Sequence, residues 1–359
     1  MKINRLLVKN FRSYGESWWG FDGSKVLVVG ANASGKTTLI EAIYMLGLAK
    51  SPRTSSDLEL IKNGESSFFV EGDFESSTLN KYVVTLGFDG EKRLIKKNQT
   101  VVKKLSDHVG LIDCVWFSSF DLNMLTGNPQ IRRRNFDRII CQISKVYFTA
   151  LSNYKKFLKE RNALLKRLIF ENKIELKLLL ETIDQSLVNE GKKIISLRRK
   201  IINKINQFLI VKQHEIGNDN EDLKIEYIEN VKEEDFLSKL KDSFLDDLKH
   251  GNTSFGPHKD DYIFIINNKN IVYQGSQGQQ RNAILSLKLS EVDLIYEVKK
   301  EYPILLLDDV FSELDKERQN KLLNSINKEI QTIITTTSLS EIDSKFVEDS
   351  MIIELKGDK

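Results

Sequence analysis

The segment GANASGKT, from Gly30 to Thr37, constrains the fold of this 359-residue chain more than any other feature. It fits the phosphate-loop pattern G-x-x-x-x-G-K-[ST], and it lies between an apolar strand sequence, KVLVVG, and a helix predicted from Lys36 to about Ala49. Glycines let backbone N–H groups turn towards bound phosphates at the start of a helix, where the helix dipole also favours negative charge. The pattern therefore predicts a nucleotide site in an α/β fold.

The loop supplies each kind of group that a nucleoside triphosphate site needs. Lys36 carries a positive charge for the β- and γ-phosphates, and the hydroxyl of Thr37 is a ligand for Mg²⁺. We expect ATP and Mg²⁺ as the ligands. The predicted nucleotide-binding residues of this segment are consecutive: Gly30, Ala31, Asn32, Ala33, Ser34, Gly35, Lys36, Thr37 and Thr38.

A second apolar run, ILLLDD from Ile304 to Asp309, ends in two carboxylates. In phosphate-loop ATPases a buried strand with acidic residues at its carboxyl end supplies one carboxylate to Mg²⁺ and another nearer the γ-phosphate. We therefore predict Asp308, with Thr37, as a metal ligand. The predicted catalytic residues are Lys36, Asp308 and Asp309. A capped turn is the alternative interpretation of the two carboxylates.

The stretch YQGSQGQQRNA, from Tyr273 to Ala283, permits two interpretations. A Ser-x-Gly-Gln loop that opens an amphipathic helix can be an ordinary polar turn. The same loop at a helix N-terminus can also bind a γ-phosphate through its N–H groups and the helix dipole. The residues of this stretch alone leave both interpretations open.

The order of elements predicts an α/β body interrupted by helices. Short strands bounded by turn residues fill roughly the first hundred positions. After Ile131, apolar residues recur every three or four positions in two long stretches joined near Glu171 to Lys173, as in amphipathic helices. We expect residues 1–118 and 251–359 to form the two parts of the α/β head, and residues 119–250 to form a helical, largely basic lobe.

The charged residues are distributed unevenly along the chain. Residues 131–209 contain 19 Lys and Arg against 7 Asp and Glu, a net charge of +12, so the remainder of a chain whose net charge is +3 carries −9. A basic lobe on an acidic body favours a polyanionic partner, because neutralising phosphates releases their counterions. The candidate phosphate contacts are Arg132, Arg133 and Arg134. Solvated helix faces, or pairing of these arginines with acidic groups of the same chain, are the alternatives.

The sequence favours a cytoplasmic protein with no membrane partner. No apolar run approaches the ~20 residues that span a bilayer, and the amino-terminal residues lack the pattern of a signal peptide. Cys114 and Cys141 are isolated and have no metal-ligand spacing, so we expect small buried side chains.

Taken together, these motifs resemble those of the RecF family, in the SMC-like group of ABC-type ATPases. The resemblance extends over nearly the whole length, and the segments that carry it are NFRSY, GANASGKTTLIEAIY, RRRNFD, RNALLK, GPHKDD, SQGQQR and LLLDDVFSELD. It implies an α/β fold in which an ABC-type P-loop ATPase head of the SMC-like kind carries an inserted helical lobe.

The resemblance also implies an ATP-dependent homodimer. In this family two heads enclose ATP, and each nucleotide contacts the phosphate loop of one subunit and the signature loop of the other. Carried over to this sequence, the residues that act on the partner's nucleotide are Ser276, Gly278, Gln279 and Asp315. The implied enzyme activity is weak ATP hydrolysis that DNA stimulates. Hydrolysis releases the dimer from the DNA that it clamps.

The implied function is recombinational DNA repair. In the family, ATP-bound dimers hold duplex DNA near gaps or junctions and, with RecO and RecR, promote loading of RecA onto single-stranded gaps. DNA, RecO and RecR are therefore the implied partners.

Several positions depart from the family pattern. Pro52 stands where a His is common, beside Arg53, the candidate nucleotide contact. Asp309 stands where ABC-type ATPases usually have Glu, so its carboxylate reaches one methylene less far and we expect slow turnover. The segment after the penultimate strand lacks the switch histidine of transporter ATPases, which leaves Thr336 or Thr337 as substitutes.

Two other functions fit parts of the sequence. The ATPase subunit of a transporter would have a similar head, but this chain lacks the sequence LSGGQ and carries a basic insertion. A structural chromosome tether would need a longer helical arm, since even 40 continuous helical residues span only roughly 60 Å.

Overall fold

The computed structural model describes residues 1–171, 173–217 and 220–356. The chain forms two compact units. We name residues 1–122, 211–220 and 281–359 the α/β unit, and residues 123–210 and 221–280 the helical unit.

The strands are numbered in chain order through both units. They are β1 (Lys2–Phe11), β2 (Tyr14–Gly20), β3 (Lys25–Val29), β4 (Phe68–Ser76), β5 (Asn80–Phe88), β6 (Arg93–Lys97), β7 (Thr100–Val101), β8 (Cys114–Ser118), β9 (Leu223–Ile228), β10 (Asp261–Ile266), β11 (Lys269–Asn270), β12 (Ile304–Asp308), β13 (Thr332–Thr336) and β14 (Met351–Glu354).

The helices are numbered in the same way. They are α1 (Lys36–Leu48), α2 (Asn123–Thr126), α3 (Pro129–Ile143), α4 (Lys145–Leu168), α5 (Ile174–Ile216), α6 (Phe236–Asp242), α7 (Phe244–His250), α8 (Ile271–Gln274), α9 (Gln277–Lys299), α10 (Lys316–Ser325) and α11 (Ser344–Glu348).

A five-stranded parallel sheet forms the centre of the α/β unit, with the strand order β14-β3-β13-β12-β8. Its strands are short apolar runs, and every residue of β8, β12 and β13 is buried. Such continuous apolar strands are typical of parallel sheets that are covered on both faces. Because all five strands run in the same direction, their carboxyl ends lie along one edge of the sheet.

A six-stranded sheet with the order β2-β1-β4-β5-β6-β7 forms the second layer of the α/β unit. Each neighbouring pair is antiparallel. The short intervals between the apolar segments of the first hundred residues predict antiparallel hairpins, but β3 departs from this expectation because it pairs in parallel with β13 and β14. α1 is buried along almost its whole length because it packs against strands of both sheets. The start of α1 is thereby held firmly at the edge where the parallel strands end.

The helical unit contains the long amphipathic helices predicted from the apolar periodicity. The first apolar stretch forms two helices, because Ser144 lies between them in extended conformation and caps α4 by accepting the Tyr147 N–H. The second stretch forms α5, of 43 residues. The predicted junction at Glu171 to Lys173 includes Asn172, which lies outside the described residues.

The helical unit also contains a three-stranded antiparallel sheet in the order β11-β10-β9. The sequence predicts a hairpin over DYIFIINNKNIVYQ, and Asn267 and Asn268 form its turn with positive φ angles of 48° and 62°. The second strand of that hairpin is only two residues long, because Ile271–Gln274 is helical. The expectation of a full second strand was therefore wrong.

The compact units divide at other positions than the predicted domains. The sequence assigns residues 251–359 to the head, whereas residues 251–280 belong to the helical unit because β10 pairs with β9 there. Residues 211–220, predicted as part of the lobe, belong to the α/β unit. Among the described residues, no helix combines the length and the apolar character required to cross a bilayer.

Candidate nucleotide site

The phosphate loop has the backbone conformation that its sequence predicts. Gly35 precedes α1 with a φ of 97°, and a Cβ atom at this position would lie 2.3 Å from the hydroxyl oxygen of Tyr14. Glycine is therefore required both by the left-handed backbone and by the close approach of the tyrosine. The loop leaves the sheet at Gly30, whose N–H donates to the carbonyl of Thr336 at 3.2 Å.

Two polar side chains of the loop point to an anionic ligand. The hydroxyl oxygen of Ser34 is buried, and no described residue hydrogen-bonds to it. The Nζ atom of Lys36 donates to the carbonyl oxygens of Gly30 and Ala31, at 2.6 and 3.1 Å. A buried hydroxyl without a partner, beside a cation and at the N-terminus of a helix, fits the chemistry of bound phosphate.

Asp308 lies at the end of β12, where the parallel sheet brings it next to the loop and to β13. Its Oδ1 atom accepts hydrogen bonds from the hydroxyl of Thr37 at 3.1 Å and from the hydroxyl of Thr335 at 2.8 Å. Burial raises the pKa of Asp308, although both hydroxyl hydrogen bonds act in the opposite direction. The two predicted metal ligands, Thr37 and Asp308, are thus adjacent.

The donor set at Thr37 and Asp308 fits Mg²⁺. This ion takes hard oxygen ligands, keeps several waters and completes its shell with phosphate oxygens, so one hydroxyl and one carboxylate are sufficient from the protein. Within residues 1–171, 173–217 and 220–356, no cluster of three or more His, Cys, Asp or Glu could hold a metal ion by itself. The two oxygens of Thr37 and Asp308 suit a cation that completes its shell with phosphate oxygens.

Asp309 has an unusual backbone and one side-chain oxygen without a partner. Its φ is 55°, and its N–H donates to the hydroxyl of Thr335 at 2.9 Å. Its Oδ1 atom is buried, and nothing in the described part of the chain hydrogen-bonds to it. Burial raises the pKa of Asp309, the positive charge of Lys36 lowers it, and the negative charge of Glu341 raises it.

Two residues of this site escaped the sequence-based prediction. Thr335 joins Asp308 to the backbone of Asp309 through one hydroxyl. Glu341 accepts hydrogen bonds from the hydroxyls of Thr336 and Thr337, the two predicted substitutes for a switch histidine. Thr335 lies opposite Asp308 in the parallel register of β12 and β13, and no local sequence pattern reveals that register.

Arg53, the predicted nucleotide contact, takes part in a buried ion-pair cluster. Glu41, on α1, is fully buried and accepts two hydrogen bonds from Arg12, at 2.8 and 3.1 Å, and one from Arg53 at 3.0 Å. The charge of Arg53 also acts to lower the pKa of Asp308. Contact between Arg53 and a nucleotide remains a prediction.

The signature loop, from Ser276 to Gln279, lies in the helical unit. The N–H of Ser276 donates to Oε1 of Gln279 at 2.9 Å, and the N–H of Gln279 donates to the hydroxyl of Ser276 at 3.2 Å. This reciprocal pair is a capping box, which explains why Ser-x-x-Gln stands at the start of α9. Asp315 likewise caps α10 by accepting the N–H of Arg318 at 2.9 Å. Roles of Ser276, Gly278, Gln279 and Asp315 on a partner's nucleotide stay predictions.

The three consecutive arginines differ in their surroundings. Arg132 forms a bidentate ion pair with Asp261, at 2.7 and 2.9 Å, and Arg133 donates to the backbone carbonyl of Asp260 at 2.6 Å. Arg134 is exposed. The alternative of intramolecular pairing therefore applies to Arg132, and DNA contact by all three arginines stays a prediction.

Known proteins resemble this chain over nearly its whole length. A family model described as AAA ATPase domain matches residues 1–357. The DNA replication and repair protein RecF of Bacillus cereus (strain G9842) is 38% identical over 365 residues, covering 99% of this chain and 97% of that protein.

Solved structures also resemble this chain. The recombination mediator protein RecF-ATP in the RecFOR pathway matches with a TM-score of 0.88 and 35% identity, over 95% of this chain and 93% of the other. The Smc head domain from Pyrococcus furiosus, bound to the C-terminal domain of ScpA, matches with a TM-score of 0.55 and 17% identity, over 99% and 94%. The latter likeness confirms the SMC-like head fold alone.

Proposed function

Because this chain belongs to the RecF family of DNA replication and repair proteins, we propose that it is an ATP-dependent DNA-binding protein of recombinational repair. One contact supports the proposal above all others. Oδ1 of Asp308 lies 3.1 Å from the hydroxyl of Thr37, in the phosphate loop. A loop that cradles phosphates and a carboxylate that can share a cation with them form the two halves of an ATP site.

ATP binds through residues of the α/β unit. The backbone N–H groups of the phosphate loop and the ammonium group of Lys36 hold the phosphates, while Thr37 and Asp308 hold Mg²⁺. Mg²⁺ held by these two residues would neutralise charge on the phosphates. Arg53 is supported as a further contact by its place beside Glu41, close enough to Asp308 to affect its pKa.

A second copy of the chain completes the site. Ser276, Gly278 and Gln279 open a 23-residue helix, and a helix N-terminus favours a negatively charged group. In the dimer this loop and Asp315 contact the γ-phosphate side of the nucleotide that is bound to the partner. Two nucleotides are thereby buried between two chains, so dimerisation depends on ATP.

Hydrolysis is slow and opens the dimer. The Asp309 carboxylate, with its buried oxygen free of other partners among the described residues, orients the attacking water. Since Asp is one methylene shorter than Glu, the carboxylate is less well placed than in faster ATPases. DNA binding stimulates the reaction, and hydrolysis releases the clamp.

Duplex DNA near gaps or junctions is the macromolecular ligand. Residues 131–209 carry a net charge of +12, which suits the phosphate backbone and supplies no base-specific readout. Together with RecO and RecR, the DNA-bound dimer promotes loading of RecA onto single-stranded gaps.

The proposal is tested by measuring the mass of the protein in solution with ATP and Mg²⁺, with and without gapped duplex DNA. We expect the wild type to dimerise on ATP and to bind DNA more tightly as a dimer. Lys36→Ala should remove both effects, because the cation that holds the β- and γ-phosphates is lost. Lys25→Ala is a matched control, since Lys25 lies at the opposite end of β3. DNA binding of equal strength by a monomer without ATP would contradict the proposal.

A further inference from the structure

Glu341 binds two consecutive threonines at the end of β13. The hydroxyl of Thr336 donates to Oε2 of Glu341 at 2.8 Å, and the hydroxyl of Thr337 donates to Oε1 at 3.1 Å. The Thr336 hydroxyl also lies 3.0 Å from the carbonyl oxygen of Ser338, but the charged carboxylate is the closer and stronger acceptor. One carboxylate therefore accepts a hydrogen bond from each of the two hydroxyls.

This cluster lies beside the groups that act on ATP. The carbonyl of Thr336 accepts the N–H of Gly30, the first residue of the phosphate loop, at 3.2 Å. The preceding residue, Thr335, bonds to Asp308 and to the backbone of Asp309. The negative charge of Glu341 also raises the pKa of Asp309, whereas the positive charge of Lys36 lowers it.

The direction of these hydrogen bonds limits what the threonines can do. A hydroxyl has one proton, and a carboxylate can only accept, so the protons of Thr336 and Thr337 point to Glu341. The Thr336 oxygen accepts the N–H of Ser338 at 3.3 Å, which leaves it one lone pair, and the Thr337 oxygen presents its lone pairs to other neighbours. A switch histidine can donate a hydrogen bond to a γ-phosphate, whereas hydroxyls held in this way can only accept one.

We propose that Glu341 is a positioning residue for ATP hydrolysis, which fixes the hydroxyls of Thr336 and Thr337 as acceptors that orient the attacking water. The proposal rests on the ATPase activity proposed above. In that reaction the water oxygen bonds to the γ-phosphorus, and the bond from this phosphorus to the β–γ bridging oxygen breaks with its electron pair left on ADP. The proton released by the water passes to the carboxylate of Asp309.

Glu341→Gln tests this role with little change of shape. The amide nitrogen of Gln donates, so one of the two hydroxyls must accept from it and turn its own proton elsewhere. We expect kcat for ATP hydrolysis to fall about tenfold. KM for ATP and ATP-dependent dimerisation should stay within about twofold of the wild type. Glu348→Gln, on exposed α11, is the matched control and should leave all three unchanged.

Variants of the threonines separate positioning from packing. Thr337→Ser keeps the hydroxyl and should retain most of kcat, whereas Thr337→Val keeps the shape, loses the hydroxyl and should resemble Glu341→Gln. A wild-type kcat in Glu341→Gln would overturn this inference and leave the proposed function standing. A parallel loss of kcat, ATP affinity and dimerisation in Glu341→Gln would also overturn it, because that pattern indicates a structural role. A wild-type chain that neither binds nor hydrolyses ATP would instead overturn the proposed function itself.

Discussion

Thr335 shows how much of the nucleotide site depends on one hydroxyl. It donates to Oδ1 of Asp308 and accepts the N–H of Asp309, so it fixes the predicted metal ligand and the neighbouring left-handed backbone at once. The residue is fully buried. A buried polar group without its partner is costly, so this position tolerates only a hydroxyl of the same shape.

Thr335→Val should therefore impair both stability and hydrolysis. Valine has the same shape but leaves Asp308 and the Asp309 N–H each without one hydrogen bond, which we expect to cost about 1–3 kcal/mol in the free energy of unfolding. We also expect kcat to fall at least tenfold. Denaturant unfolding and steady-state ATP hydrolysis measure the two effects.

The matched control for Thr335→Val is Thr332→Val in the same strand. Thr332 is equally buried, but its hydroxyl lies 3.4 Å from the carbonyl of Ile330, at the other end of β13. We expect little change in hydrolysis from this variant. Equal losses of kcat in the two variants would mean that β13 acts only through its packing.

At the scale of elements, two helices begin at residues for which the family resemblance implies contact with a partner's nucleotide. α9 begins with the reciprocal Ser276 and Gln279 capping box, and α10 begins with Asp315 as its cap. Both assignments are chemically compatible, because a capping side chain and the free N–H groups of the first turn occupy the same place. The cap sets the direction of these N–H groups, and in the proposed dimer the partner's nucleotide would accept hydrogen bonds from them.

Ser276→Arg distinguishes a cap from a shared ATP site. The substitution removes the capping hydroxyl, at a cost of about 1 kcal/mol, and adds a long charged side chain where the partner's nucleotide is expected. We expect ATP binding to persist and ATP-dependent dimerisation to disappear. Light scattering and equilibrium nucleotide binding provide the measurements.

Ser144→Arg is the control for Ser276→Arg, because Ser144 caps α4 in a similar way but has no expected role at the nucleotide. It should lose a comparable cap and still dimerise. A stable ATP-dependent dimer formed by Ser276→Arg would refute a site that is shared between two chains.

The sequence predicted those parts of the site that local patterns encode. The phosphate loop, Asp308 and Asp309 each follow an apolar strand, and the parallel sheet brings the ends of these strands to one edge. Thr335 could not be predicted, because its position opposite Asp308 depends on the register between β12 and β13. The partner of Arg132 lies 129 residues further along the chain, at Asp261, and no periodicity identifies such a pair.

The second strand of the β10 hairpin was mispredicted for a different reason. The segment IVYQ, Ile271–Gln274, is apolar enough for a strand, but Asn270 caps it as a helix by accepting the N–H of Val272. Local hydrogen bonds of an Asn side chain compete with strand pairing. Short apolar segments after an Asn are therefore ambiguous between the two structures.

At the scale of the whole molecule, we expect the uneven distribution of charge to be the main determinant of the proposed DNA affinity. The segment with a net charge of +12 contains both paired and exposed cations. A cation that is already paired within the protein releases no counterion on binding DNA, so charge counted from the sequence overstates the contribution of residues such as Arg132. We expect exposed cations such as Arg134 to contribute to the full extent.

Arg134→Ala and Arg132→Ala should therefore differ in their salt dependence. We expect Arg134→Ala to weaken binding to all duplex sequences alike and to reduce the slope of log K against log salt by about 0.9, the value for one phosphate contact. Arg132→Ala should leave the slope unchanged and lower the stability of the protein. Fluorescence titration with duplex DNA at several salt concentrations, with denaturant unfolding, measures both. An equal change of slope in the two variants would contradict this division.

The position of β3 in the parallel sheet has a consequence for the synthesis of the protein. β3 leads directly into the phosphate loop, yet its two neighbours are β13 (Thr332–Thr336) and β14 (Met351–Glu354), which are translated much later. At about 5–20 residues per second, translation reaches β13 on the order of 15–60 s after β3 has been made. During that time the nascent strand lacks both of its neighbours in the sheet, so the phosphate loop lacks the support that they give it. We therefore expect the chain to bind its first ATP only after translation has passed Glu354.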